Sequence, residues 1–214
     1  MYEYRHGGNA AFEGGKESVI DLSANINPLG MPEGVREAII NEIPNCGRYP
    51  DSFSRKLREK IAQYEIVNPD WIFCGNGASD IIFRLPRAIC AKRIMITAPA
   101  FSDYERSAES IGSEIIRHTL SPANQFVLNS GFIDAVRRVN PDLVFVCNPN
   151  NPTGKLTEPA LIEELLDYCK HTGSCVAVDE CFLDFAEEAV KYTCKAFLGM
   201  YHNLIILIIC QRPG

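Results

Sequence analysis

No aliphatic run in the 214-residue chain exceeds the six residues of 204–209. A membrane-spanning helix needs roughly 20, so nothing here reads as one. The opening Met1-Tyr2-Glu3-Tyr4-Arg5-His6 has no apolar stretch of the kind that marks a secretory signal. No block of five or more Lys and Arg occurs, and 21 basic against 27 acidic residues leave a net charge of -6. A nucleic-acid groove needs concentrated positive charge, so that partner class is excluded. There is no C-x-x-C pair among nine cysteines, an odd total, and the four histidines at 6, 118, 171 and 202 are widely scattered. A disulfide framework and a metal site are therefore not expected. These absences lead to the expectation of a protein of the cytoplasm, with neither membrane nor nucleic acid as partner.

What the chain does have is alternation. Short, mostly apolar runs at 71–74, 94–97, 115–119, 143–147, 175–178 and 204–209 read as strands. Continuous rather than alternating apolar character predicts strands covered on both faces. Helices are expected between them at 78–89, 104–111, 130–139, 158–170 and, more weakly, 190–198. The helix at 158–170 has Thr157 as an expected cap, Pro159 in its first turn and Gly173 after its end. Such a pattern predicts an α/β fold built on a mostly parallel sheet with flanking helices. The first 70 residues, rich in Gly and Pro, read as an arm of 1–30 followed by helices at 33–43 and 52–64. Ligands bind such sheets at the loops that follow the strands.

Three of those loops carry polar chemistry. Gly75-Asn76-Gly77-Ala78-Ser79-Asp80 leads into a helix, where free amides and the positive dipole end can seat a phosphate. An ordinary strand-to-helix turn explains the same residues equally well. The dinucleotide fingerprint fails because Asp80 stands where its third glycine belongs, and a P-loop fails because Leu156 follows Gly154-Lys155. Asn148-Pro149-Asn150-Asn151-Pro152-Thr153-Gly154 fixes its backbone with two X-Pro steps. Asp179-Glu180 ends an apolar strand, and a carboxylate there is costly without a cation, although a helix cap or an internal ion pair would also account for it.

These segments, with Pro99-Ala100-Phe101 between them, resemble the large domain of fold-type I pyridoxal-phosphate enzymes, the aminotransferases of classes I and II and their relatives. Within that group His6-Gly7-Gly8-Asn9, residues 23–30 (S-A-N-I-N-P-L-G) and Arg48-Tyr49-Pro50 are similar to the threonine-phosphate decarboxylase family of cobalamin biosynthesis. Histidinol-phosphate aminotransferases are the near alternative. The resemblance implies pyridoxal 5'-phosphate as cofactor, with Gly77, Ala78 and Ser79 on its phosphate, Phe101 stacked on its ring, Asn151 on the ring hydroxyl oxygen and Asp179 as the catalytic partner of the ring nitrogen. It implies a homodimer in which Tyr49 reaches the cofactor phosphate of the neighbouring subunit. His6, Gly7 and Asn25 would touch a small phosphorylated amino-acid substrate. Phe182 stands where the aminotransferases usually carry a Tyr three residues after the Asp, which favours the decarboxylase reading.

One expected residue is missing. The family's Schiff-base lysine, in a segment like S-F-T-K, should follow the strand that ends near 207, but the chain reads Ile208-Ile209-Cys210-Gln211-Arg212-Pro213-Gly214. Lys155 and Lys195 do not match that position and read as solvated surface charges. The expectation is a pyridoxal-phosphate large domain over 31–207, an aberrant tail at 208–214, no C-terminal small domain, and no decarboxylase activity from this chain alone. A non-catalytic cofactor-binding fragment is the further alternative. The tail can be back-translated as ATC ATT TGC CAA AGG CCG GGN, and starting one base later this reads Ser-Phe-Ala-Lys-Gly-Arg. A frameshift is therefore predicted, and sequencing the DNA past codon 207 should show a Ser-x-x-Lys segment in the shifted frame. A downstream sequence without that segment in any frame would exclude it.

Overall fold

The computed structural model describes residues 29–209, and the chain divides into two compact units between Cys74 and Gly75. In the first, helices α1 (Glu33–Glu42) and α2 (Arg55–Glu65) are each followed by a short 3-10 turn, Ile43–Asn45 and Pro69–Trp71. Helix α1 buries no residue, and α2 buries only Ala62. Helix α2 begins later than its pattern implies because the Asp51 carboxylate accepts the amides of Phe53 and Arg55 and holds an open turn ahead of it. The Arg58 guanidinium fastens α2 to the second turn through the Pro69 carbonyl (2.7 and 3.0 Å) and Asp70 (3.1 Å).

The strand expected at 71–74 does not form. Pro69 fixes the backbone of the 3-10 turn, and the Asn68 side chain accepts the Asp70 amide at 2.9 Å. No strand among the described residues pairs with 71–74, and Trp71 and Phe73 are exposed. An apolar run alone does not make a strand without a neighbour to take its amides and carbonyls.

The second unit is a five-stranded sheet in the order β2-β1-β3-β4-β5, parallel throughout. Its strands are β1 (Arg93–Ala98), β2 (Glu114–Thr119), β3 (Leu143–Cys147), β4 (Cys175–Asp179) and β5 (Leu204–Leu207). Helices α3 (Gly77–Ile89), α4 (Ser102–Glu109), α5 (Ser130–Val139), α6 (Pro159–Thr172) and the short α7 (Ala189–Tyr192) lie between them in sequence. Neighbouring residues on a strand point to opposite faces, and the core divides accordingly. Ile94, Ile96, Phe145 and Ala177 pack with Ile82, Leu85, Tyr104 and Ala108 of α3 and α4. Met95, Val144, Val146, Val176 and Val178 pack with Phe132, Ile133 and Val136 of α5 and Ile162, Leu165, Leu166 and Cys169 of α6. Covering on both faces is what the unbroken apolar strands require, and each fully buried side chain of this size adds about 1.5–3 kcal/mol. Strand β2 lies at the sheet edge and buries none of its residues fully, which is why Arg117 and His118 can sit in it.

Three local expectations need correction. Thr157 does not cap α6: it is buried, its amide donates to Asn148 Oδ1, and the cap position is Glu158. The end of that helix is as expected, with Gly173 at φ 78°, a left-handed conformation that favours glycine. The segment 190–198 is not one helix but α7 followed by a 3-10 turn, Cys194–Phe197. The Thr193 hydroxyl and the Cys194 amide both donate to the Glu180 carboxylate, at 2.7 and 2.6 Å, and this interrupts it. Strand β5 stops at Leu207, whose carbonyl accepts the Glu180 amide; Ile208 and Ile209 lie beyond the ladder. Of the arm expected at 1–30 and the tail expected at 208–214, residues 1–28 and 210–214 lie outside the described residues. Among the described residues no helix is long and apolar enough to cross a membrane.

Leu166 is fully buried, so Leu166→Ala should lower unfolding free energy by about 2–5 kcal/mol in urea titrations followed by circular dichroism. Glu163→Ala, on the exposed side of the same helix, should change it by less than about 0.5 kcal/mol.

Candidate functional site

From β1 the chain crosses to β2 on one side, and β3 then joins β1 on the other. Such a reversal lies at the carboxyl ends of β1 and β3, the usual ligand position in an open parallel sheet. Three segments converge at that edge: Pro99-Ala100-Phe101 after β1, the loop 148–157 after β3, and Asp179 to Cys181 at the end of β4. The X-Pro bonds Ala98-Pro99, Asn148-Pro149 and Asn151-Pro152 there are cis.

Helix α4 ties these segments together through consecutive residues. Asp103, 1% exposed, accepts the Ser79 hydroxyl at 2.6 Å and pairs with Arg106 at 3.1 Å. Tyr104, also 1% exposed, donates its hydroxyl to Asp179 Oδ2 at 2.6 Å. Its ring stacks on Phe145 (4.8 Å between centroids) and meets Phe101 edge-on at 5.8 Å. The other Asp179 oxygen, Oδ1, accepts the Cys181 amide at 3.0 Å. Burial, and after it the Asp179 charge, raise the Tyr104 hydroxyl well above its ordinary pKa, so it stays protonated and a donor. The same two causes in the same order push the Cys147 thiol up to about 12.

Asp179 is a buried carboxylate met only by neutral donors; among the described residues no ion pair includes it. An uncompensated buried anion costs several kcal/mol, and a cationic ring nitrogen at that edge would offset that cost. At the start of α3 no side chain caps the helix, and Gly77 has φ 81°, which only glycine adopts without strain. A Cβ on Gly75 would collide with the Ile81 side chain. Asp80 spends its carboxylate on the Asn76 amide at 3.0 Å and on Arg84 at 2.6 Å, and these contacts hold its carboxyl below the usual range. None of the hydrogen bonds to Asp80 takes the amides of Gly77, Ala78 or Ser79, which stand at the positive end of the helix dipole. A ligand with an anion at one end and a cationic flat ring at the other fits the residues present.

The Asn-Pro loop divides its labour. Asn148, fully buried, donates to the Tyr192 carbonyl (3.1 Å) and accepts the Thr157 amide (2.9 Å), so it closes the loop upon itself and onto α7. Asn150 donates to the Pro99 carbonyl (3.2 Å) and Thr153 (2.9 Å), while its buried Oδ1 has no hydrogen-bond partner. Asn151 is half-buried; its amide rests on Cys147 Sγ, and its side chain makes no hydrogen bond among the described residues.

The structure thus gathers Gly77, Ala78, Ser79, Phe101, Asn151 and Asp179 in one unit. Tyr49 is fully exposed in the other unit, and His6, Gly7 and Asn25 lie outside the described residues. Lys155 and Lys195 are not simply solvated: both are half-buried, Lys155 reaches Gln125 at 3.3 Å, and Lys195 acts on Glu180. Sequence reasoning missed Asp103 and Tyr104. Their only signal was an acid and a phenol in the first turn after Phe101, where a helix would aim them back at the strand ends. Among the described residues no group of His, Cys, Asp and Glu is placed to hold a metal ion, and all the described cysteines are free.

With this geometry established, the class is clear: residues 17–211 match the family described as aminotransferase class I and II, and the chain belongs to it. The chain is 38% identical over 192 residues to threonine-phosphate decarboxylase of Salmonella typhimurium, a match covering 86% of this chain and 52% of that protein. It is similar to the crystal structure of histidinol-phosphate aminotransferase from Clostridium acetobutylicum, with TM-score 0.76 and 28% identity over 86% of this chain and 54% of the other. The fold also matches histidinol-phosphate aminotransferase from Sinorhizobium meliloti, solved in complex with pyridoxal-5'-phosphate, with TM-score 0.77 and 19% identity over 86% and 49% of the two chains. The chain spans about half the length of the relatives it matches.

Glu180, beside Asp179, is structural, and its environment makes a pH prediction. Burial raises its carboxyl above the usual 4.5, against the opposing hydrogen bonds from Cys194 and Thr193. The folded chain therefore binds that proton more tightly than the unfolded chain. The stability this contributes is present below pH 4.5 and lost as pH rises through the raised value. In paired urea titrations, Glu180→Gln should gain stability relative to wild type as pH rises from about 4.5 toward neutrality. A constant difference would contradict the assignment.

Proposed function

We propose that this chain binds pyridoxal 5'-phosphate at the carboxyl ends of β1 and β3 as the cofactor domain of a threonine-phosphate decarboxylase-like enzyme. The observation that carries this reading is Asp179, a buried carboxylate with no cationic partner among the described residues, at the carboxyl end of β4 next to β3. The cofactor's protonated ring, when bound, takes up the electron pair left by a bond broken at the substrate α-carbon. Asp179 would keep the ring nitrogen protonated, Phe101 would lie against the ring face, and Asn151, its side chain uncommitted, would donate to the ring hydroxyl oxygen. The amides of Gly77, Ala78 and Ser79 would hold the phosphate, and the Ser79 hydroxyl, which donates to Asp103 here, would turn its single proton to a phosphate oxygen. Tyr49 would serve the phosphate in a partner subunit of a homodimer, while His6, Gly7 and Asn25 would contact the phosphorylated substrate.

O-phospho-L-threonine is favoured as substrate by the similarity to the Salmonella typhimurium decarboxylase. Phe182 also favours it: the ring packs near Phe185 and offers no hydroxyl to the cofactor, unlike the Tyr that the aminotransferases usually carry there. The second reading, a histidinol-phosphate aminotransferase, rests on the similarity to the Clostridium acetobutylicum structure.

Titration of the chain with pyridoxal 5'-phosphate, followed by the absorbance of the cofactor, should give saturable binding. Asp179→Ala should weaken it about ten-fold or more, and Ser79→Ala about five-fold, as expected for one charge-assisted and one ordinary hydrogen bond. Binding unaffected by both changes would overturn the site. Added O-phospho-L-threonine should perturb the bound-cofactor spectrum at lower concentration than histidinol phosphate, and the reverse order would favour the aminotransferase reading.

A further inference from the structure

We propose that Tyr104 is a positioning residue that fixes the orientation of the Asp179 carboxylate, and so determines how strongly the site distinguishes a ring nitrogen from a ring carbon. This rests on the cofactor reading above and assigns a role to a residue that would touch no part of the ligand. The geometry is specific. Tyr104 donates to Oδ2 at 2.6 Å while the Cys181 amide donates to Oδ1 at 3.0 Å, so each oxygen has one fixed neutral donor. Two donors on two oxygens leave the carboxylate no free rotation about its last bond and leave lone pairs for a ligand cation. The phenol is itself held, stacked on Phe145 and buried, and its oxygen also faces the Cys147 thiol.

The same helix adds a second constraint. Phe101 and Tyr104 stand three residues apart at the start of α4, with their rings in edge contact at 5.8 Å. The residue proposed to stack on the ligand and the residue that orients its charge partner therefore move as one body. A carboxylate pinned in this way meets a ring nitrogen at one angle, which makes the nitrogen contact directional and not merely electrostatic. Tyr104→Phe keeps the stacking and the volume but frees Oδ2, so Asp179 can turn and part of the nitrogen contact should be lost.

The test compares two ligands on the full chain: pyridoxal 5'-phosphate, and the analogue in which the ring nitrogen is replaced by C–H. In wild type the natural ligand should bind at least about ten-fold more tightly, the strength of a charge-assisted contact. Asp179→Ala should bring the ratio near one. Tyr104→Phe should lower it about five-fold while the affinity for the carbon analogue stays within about two-fold of wild type. Replacing Tyr104 by 4-aminophenylalanine, which restores an N–H donor, should recover the ratio. A Tyr104→Phe ratio equal to wild type overturns the proposal while leaving Asp179 in its role. Equal weakening of both ligands, without recovery in the aminophenylalanine variant, assigns Tyr104 to packing alone and overturns it as well. A wild-type chain that does not distinguish the ligands, or an Asp179→Ala chain that still does, sinks the nitrogen contact and the Tyr104 proposal together.

Discussion

A carboxylate at the end of a strand buried on both faces constrains everything around it. Asp179 closes β4, in register with Cys147 on one side and Leu207 on the other, so the sheet fixes its backbone while its side chain has almost no water to face. Neutral donors soften the cost of that burial but do not cancel the charge. On the proposed reading a cationic ring from outside the fold meets that charge. Helix α4 turns Tyr104 inward to hold the carboxylate, and the loop after β3 is folded on itself by Asn148 and tied to the segment after β1 by Asn150.

The adjacency of Asp103 and Tyr104 converts this local requirement into a geometry with two ends. One residue reaches back to Ser79 at the start of α3, and the next reaches across to the end of β4. Both are anchored in one turn of helix packed on Ile94, Ile96 and Phe145. The separation between the anion seat and the buried carboxylate is thus a property of the core and not of the loops. Loops alone would let the two ends drift; a packed helix holds them in fixed relation.

The sequence made the sheet legible because β3 and the middle residues of β1 and β4 are apolar without a break and the helices between them have recognisable ends, Gly173 being the clearest. It misled at 71–74, where apolar residues come after an Asn-Pro turn but no strand lies beside them. At Thr157 a capping residue type was read as a cap, yet the residue is drawn inward by Asn148 nine positions earlier, a pairing that no local rule contains. Asp179 and the Asn-Pro loop stood out from their residue types and from the resemblance they carry. Asp103 and Tyr104 did not, because their partners are 24 and 75 residues away and a buried hydrogen bond leaves no periodic trace.

Within N-P-N-N-P-T-G the three asparagines are chemically identical but do different work. Asn148 spends both ends of its amide on backbone groups, Asn150 spends its NH2 on Pro99 and Thr153, and Asn151 spends nothing. The first two stabilise the loop in which the third is presented, with each buried amide bond contributing about 0.5–1.5 kcal/mol net. Among the described residues the Asn151 side chain has no hydrogen-bond partner, and on the proposed reading that capacity is kept for the ligand at little cost in ordering. The same logic governs Asp179: the groups around it satisfy its geometry and leave its charge unmatched, and that unmatched charge is what the site has to offer.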